Sequence, residues 1–87
     1  MAKTITVGSL ESSDCMITLK EGTGNVHIES VVAAAFYDHI ETLVRRVLKT
    51  HEVRNVDLTL EDRGALDYAI EARLIAAIKR YKGDDNG

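Results

Sequence analysis

Two adjacent hydroxyls flanked by carboxylates, in the stretch GSLESSDCM from Gly8 to Met16, are the side chains of this sequence best suited to chemistry. Ser12 and Ser13 lie between Glu11 and Asp14, after one short alternating run and before another. A serine can serve as a nucleophile or as the point at which a group is attached. Nucleophilic hydrolysis needs a base, an orienting acid and an oxyanion hole around the hydroxyl. The chain has three histidines, but neither serine sits in a Gly-x-Ser-x-Gly elbow between a strand and a helix, so a hydrolytic triad is set aside. On residue types alone, a Ser-Ser-Asp turn is first a local hydrogen-bonding turn and second a modification site, and both readings stay open at this point.

Other reactive groups are sparse. His27, His39 and His51 are not paired with further ligands at helical or hairpin spacing and read as surface or cap residues, with His51 placed to favour the negative end of a helix. The single cysteine, Cys15, alternates inward with Ile17 and reads as a small buried hydrophobe; it excludes an internal disulfide framework and any Cys-x-x-Cys motif. With 87 residues, 11 basic against 14 acidic groups and a net charge of -3, the chain is expected to be one domain that binds neither nucleic acid nor membrane. One Phe, three Tyr and no Trp give little material for base stacking. Nothing resembles a signal peptide, and no run approaches the roughly 18 apolar residues of a membrane span, so a cytoplasmic location is expected.

Hydrophobic periodicity supplies the elements that must position the serines. Thr4 to Val7 alternate before Gly8, and CMITLK directs Cys15, Ile17 and Leu19 to one face; both are strands. EGTGN at 21–25 is a turn, and VHIES continues the alternation with Val26 and Ile28 inward, which predicts a hairpin between these two runs. From Val31 to about Thr50, Val32, Phe36, Ile40, Leu43 and Val47 recur at helical spacing, with Val44 and Leu48 widening the stripe and Ser30 as N-cap. NVDLTLED is a further strand with Val56, Leu58 and Leu60 inward. Glu61, Asp62 and Arg63 read as a solvated turn, with Asp62 as N-cap of a last helix from Ala65 to about Lys82 whose stripe is Leu66, Ile70, Leu74, Ala77 and Ile78. The GDDNG end, 83–87, reads as a solvated tail. The expected fold is α+β: a two-layer domain with a small, mostly antiparallel sheet of about four strands and two helices on one face.

GSLESSDCMITL resembles the N-terminal segment of the citrate lyase acyl carrier (gamma subunit) family, in which a Gly-Thr/Ser-Leu-Glu-Ser-Gly-Asp turn precedes a strand. LEDRGALDYAIEARLIAAIKR resembles the same family's C-terminal strand-to-helix segment, so the similarity brackets the chain, with a less distinctive middle. The resemblance implies a carrier subunit that catalyses nothing alone. Its serine would be joined by a phosphodiester to a 2'-(5''-phosphoribosyl)-3'-dephospho-CoA group whose thiol bears acetyl and citryl groups. Position by position that serine is Ser12, with Ser13 as the fallback and Glu11 and Asp14 in turn geometry and recognition. Ser13 stands where the family usually has glycine, which tolerates a positive φ that serine adopts only at a cost. The implied partners are the lyase alpha and beta subunits, a prosthetic-group transferase and an acetate ligase that acetylates the thiol. The alternatives are a carrier for a related complex such as malonate decarboxylase, or a small interaction module that carries no group. An ordinary four-helix acyl carrier fits poorly, because here the serines fall between period-2 segments.

Overall fold

Alternation of apolar and polar residues drives four segments into strands whose apolar faces need a cover, and two amphipathic segments provide it. The structure, a computed structural model, describes residues 3–31 and 34–83. Strands β1 (Thr4–Gly8), β2 (Cys15–Glu21) and β3 (Val26–Ser30) come first, then a 3-10 turn (Ala34–Phe36) leads into helix α1 (Tyr37–Thr50), followed by β4 (Val56–Asp62) and α2 (Asp67–Lys82). The sheet order is β1-β2-β4-β3, with β1, β2 and β4 antiparallel in turn and β3 parallel to β4. Helix α2 packs over β1 and β2, and α1 packs beside α2 and over β3.

The register places Val7 against Ile17, Ile17 against Leu60 and Ile28 against Leu60, so one face is a continuous apolar row closed by Leu43, Val44, Val47, Ile70, Leu74, Ala77 and Ile78. The opposite face carries Thr6, Thr18, Thr59, His27 and Glu29. Cys15 is fully buried, as its alternation predicts, and burial pushes its thiol up to about 11, with the fields of Asp14 and Asp62 acting in the same direction. It therefore stays a neutral packing group near pH 7.

Several expectations need correction. The hairpin between β2 and β3 does not form, because β4 inserts between them. Gly22 and Gly24 donate their amides to Asn55 and Val56 at 2.9 and 3.0 Å, and Asp57 accepts from Thr23 and Asn25, each at 3.1 Å. The donors of the 22–25 turn are thus committed to β4, and α1 supplies the crossover that parallel β3–β4 pairing requires. Ser30 is not the N-cap of α1, a position held by Phe36: it ends β3, and its hydroxyl donates to Asp62 at 2.7 Å. Regular α-helix starts at Tyr37 rather than Val31, while Val32 lies outside the described residues.

Phe36 and Leu66, assigned above to core stripes, are 55% and 61% exposed, because each precedes the first turn of its helix rather than lying within it. Asp62 is not solvated: it is 1% exposed. Nor is it the N-cap of α2, a position held by Leu66. Its Oδ1 instead accepts the amides of Gly64 and Ala65 at 3.2 and 2.8 Å, so a buried carboxylate ties the ends of β3 and β4 to the entry of α2 with both oxygens satisfied. Gly83 closes α2 in the left-handed conformation, and the remainder of the expected tail, 84–87, lies outside the described residues.

Candidate attachment site

Strand directions gather β1's end, β2's start, the ends of β3 and β4 and the first turns of both helices at one pole of a molecule 35 Å long. The 9–14 connection sits there. Gly8 makes its neck: φ is +106°, and a Cβ would come within 2.0 Å of the Cys15 carbonyl oxygen, an approach only glycine permits. The Ser9 amide donates to that same oxygen at 3.1 Å.

Beyond the neck, the Asp14 amide donates to the Glu11 carbonyl at 3.1 Å, which makes Ser12 and Ser13 the two central residues of a β-turn. Ser13 has φ +66°. A positive φ at the third turn position is the type II signature, otherwise the place of glycine. The Ser13 amide donates to the Arg63 carbonyl and the Arg63 amide donates to the Asp14 carbonyl, both at 2.9 Å. Two residues of one strand thus face one of its neighbour, with the first in the left-handed region: a β-bulge of the glycine type with serine in the glycine position. The expected strain at Ser13 is present, on the order of 1 kcal/mol for an L-residue in this region.

Asp14 holds the loop together. Its carboxylate accepts the Ser9 hydroxyl at 2.6 Å, the Cys15 amide at 2.7 Å, and two nitrogens of Arg73 on α2 at 3.2 and 2.9 Å. The Ser9 hydroxyl, then Arg73 and the Cys15 amide, lower its pKa from 3.8 to about 2. A bidentate arginine gives direction as well as attraction, so the serine turn is fixed against a helix 59 residues away in sequence.

Ser12 and Ser13 are both exposed, and among the described residues neither hydroxyl has a hydrogen-bond partner; Ser9 is bonded through its side chain, and Ser13 is tied to the bulge through its amide. Glu11 is exposed beside it. All four residues singled out from the sequence therefore share one turn, with Asp14 as its clamp. Ser9 and Arg73 escaped sequence reading, and in the sequence Arg63 reads only as part of a solvated turn. Arg73 interrupts the apolar run of α2, and this was its one detectable signal; the bulge partner Arg63 offered none. The histidines pair with other groups: His27 meets Glu29 at 3.1 Å, His39, at the same pole, meets Asp67 at 2.5 Å, and the His51 carbonyl accepts Lys82 at 2.6 Å.

An exposed, uncommitted hydroxyl on a rigid corner suits attachment of a group, and several known proteins share the frame that builds it. The acyl carrier family model described as malonate decarboxylase delta subunit (MdcD) matches residues 2–81. Citrate lyase acyl carrier proteins are similar along most of the chain. That of Halothermothrix orenii is 39% identical over 80 residues, covering 90% of this chain and 85% of the relative. That of Latilactobacillus sakei is 42% identical over 83 residues, covering 93% and 82%. That of Streptococcus pyogenes is 41% identical over 86 residues, covering 95% and 84%. Among solved structures, a chain of a Pseudomonas malonate decarboxylase hetero-tetramer in complex with malonate superposes with a TM-score of 0.75 at 15% identity, covering 92% of this chain and 95% of that one, which establishes the shared fold. Matched nearly end to end by both the family model and these relatives, the chain belongs to the acyl carrier family of citrate lyase and malonate decarboxylase.

Proposed function

We propose that this protein is the acyl carrier subunit of citrate lyase and that Ser12 anchors its prosthetic group. The observation that carries the assignment is a clamped turn on which the hydroxyls of Ser12 and Ser13 stand exposed and unbonded; Ser13 is held in the left-handed bulge by its amide bond to Arg63, which favours Ser12, the position matching the family's serine, as the anchor. The relatives at 39% to 42% identity favour citrate lyase over malonate decarboxylase, whose name enters through the family description and a structure of 15% identity.

The group proposed is 2'-(5''-phosphoribosyl)-3'-dephospho-CoA, which when bound supplies the thiol that carries acetyl and citryl. The chain's own residues present and orient the anchor. Esterification at Ser12 requires its hydroxyl proton to leave, and Asp14, held near pKa 2 by Ser9, Arg73 and the Cys15 amide, is too weak a base to take it. On the family resemblance the base belongs to the prosthetic-group transferase, and Asp14 acts by holding the turn. Glu11 offers that enzyme an exposed carboxylate to recognise. Once Ser12 is occupied, the rigid turn keeps the acyl group within reach of the alpha and beta subunits, where tethering gives effective concentrations on the order of millimolar. On this reading the protein is a substrate handled by other active sites, including an acetate ligase, and is not itself catalytic.

Reconstitution tests the assignment. The lyase alpha and beta subunits, supplied with this chain made in the presence of the transferase and precursor-forming enzyme and then acetylated on its thiol by the acetate ligase, should convert citrate to oxaloacetate and acetate. The same subunits with the unmodified chain should not. Support of malonate decarboxylation by the loaded chain, without citrate cleavage in the parallel reaction, would overturn the citrate assignment.

A further inference from the structure

Among the described residues, the large hydrophobic side chains that the fold leaves exposed, Leu10, Val31, Phe36, Tyr37, Leu66 and Tyr68, all lie at the pole that carries Ser12. Tyr68 is 73% exposed and Val31 65%, which makes this a patch that the fold itself does not use. Backbone and side-chain bonds link the segments that carry these residues to the serine turn. Ser13 bonds Arg63, the Val31 amide donates to the Asp62 carbonyl at 3.2 Å, and His39 on α1 meets Asp67 on α2. Between the two helix starts, Phe36, His39, Ile40, Ala65, Leu66 and Tyr68 line a groove of about 660 Å³.

Charge is segregated in the same sense. Glu11, Asp38 and Asp67 are exposed around the patch, while of the cations at this end Arg73 is committed to Asp14 and half-buried Arg63 turns its guanidinium towards the Asp62 carbonyl at 3.5 Å. The last turns of both helices, with Lys49, Lys79, Arg80 and Lys82, point to the opposite pole. Helix dipoles account for part of this pattern, since acids suit the first turn and bases the last. They do not account for a cluster of exposed apolar side chains at one end.

We infer that the Ser12 pole is a docking face for a protein partner that presents an apolar centre within a rim of lysine and arginine. Given the proposed function, on which this inference rests, the partner is the lyase's own catalytic subunits. A second copy of this chain would set acidic rim against acidic rim, and the phosphates of an arm folding back would meet the same repulsion. A basic-rimmed surface is attracted to this pole and repelled by the other, so the charge pattern also orients the approach.

The test measures binding of the Ser12→Ala chain to the purified alpha and beta subunits by calorimetry at several salt concentrations, so that no attached group contributes. Leu66→Ser together with Tyr68→Ser should weaken binding at least tenfold, with an unchanged circular dichroism spectrum because both positions are exposed. Asp38→Asn with Asp67→Asn should weaken it and flatten its salt dependence, and Lys79→Glu at the far pole should leave it within twofold. Undetectable binding by the parent, equal affinity for the Leu66/Tyr68 variant, or a self-association abolished by that variant would overturn the docking face. The mass of the wild-type chain made beside its transferase separates the two ideas. Loaded protein with unaffected docking rejects this face alone, whereas absence of any adduct rejects the carrier reading while the binding result still judges the face.

Discussion

The serine turn at 9–14 and the glycine turn at 22–25 lie at opposite poles, and each is held by one aspartate, yet they are built for different ends. Asp57 reaches the glycine turn from β4 and accepts the Thr23 and Asn25 amides, which hold its pKa below the ordinary value. Gly22 fits so closely against that carboxylate that a Cβ would lie 2.1 Å from its carbon. Everything in the glycine turn serves closure. In the serine turn, by contrast, a residue with a side chain occupies the left-handed position, the aspartate comes from the turn itself and reaches out to Arg73, and the hydroxyls of Ser12 and Ser13 are left over. A loop that only connects uses glycine to relieve strain; here strain is kept and a side chain is presented, as at many functional bulges.

Substitutions at the two necks should break the comparison most severely. Gly8→Ala combines a positive φ with a backbone collision and is expected to cost about 3 kcal/mol or more. Gly22→Ala meets a side-chain carboxylate that can turn away, at the expense of the two bonds Asp57 makes, and should cost less. Urea unfolding followed by circular dichroism ranks the pair; equal costs would show that the two necks do not differ as described.

Acid unfolding sharpens the contrast between the two clamps. The folded-state pKa of Asp14 is depressed from 3.8 to about 2, so its contribution is fully present above about pH 4 and is lost as pH falls towards 2. Asp14→Asn should lower the melting temperature at pH 7 and flatten the stability profile between about pH 4 and 2. A profile of unchanged steepness there would mean that Asp14 does not clamp the loop.

Smaller effects follow at the serines. Ser13→Gly should raise stability by about 0.5 kcal/mol, because removal of left-handed strain exceeds the added backbone entropy, and by about 2 to 4 °C in melting temperature. Ser13→Val should do the reverse. Ser12→Ala, at an exposed and unbonded position, should stay within about 0.5 kcal/mol of the parent. A marked loss at Ser12 would reveal a structural role and weaken its assignment as a presented group.

Local patterning made the strands, the inward rows and the helix stripes legible, because residues such as Ile17, Leu60 and Leu74 report their own burial through spacing. Strand order was not legible: nothing in VHIES reveals that the donors of the preceding turn belong to β4, which lies some thirty residues on. The burial of Asp62 was hidden for the same reason, since its partners Ser30, Gly64 and Ala65 meet only in the folded chain. At the site, the positive φ of Ser13 followed from the glycine expected there, whereas the clamp of Asp14 by Arg73 depends on a contact spanning most of the chain.

Peptide-level mass spectrometry tests the central claim most directly. The protein is co-produced with its prosthetic-group transferase and precursor-forming enzyme, beside Ser12→Ala and Ser13→Ala variants and an authentic family carrier as control. The account predicts a phosphoribosyl dephospho-CoA adduct on wild type and on Ser13→Ala, and none on Ser12→Ala. An adduct that persists on Ser12→Ala, or a wild-type chain left unmodified while the control is loaded, would contradict it.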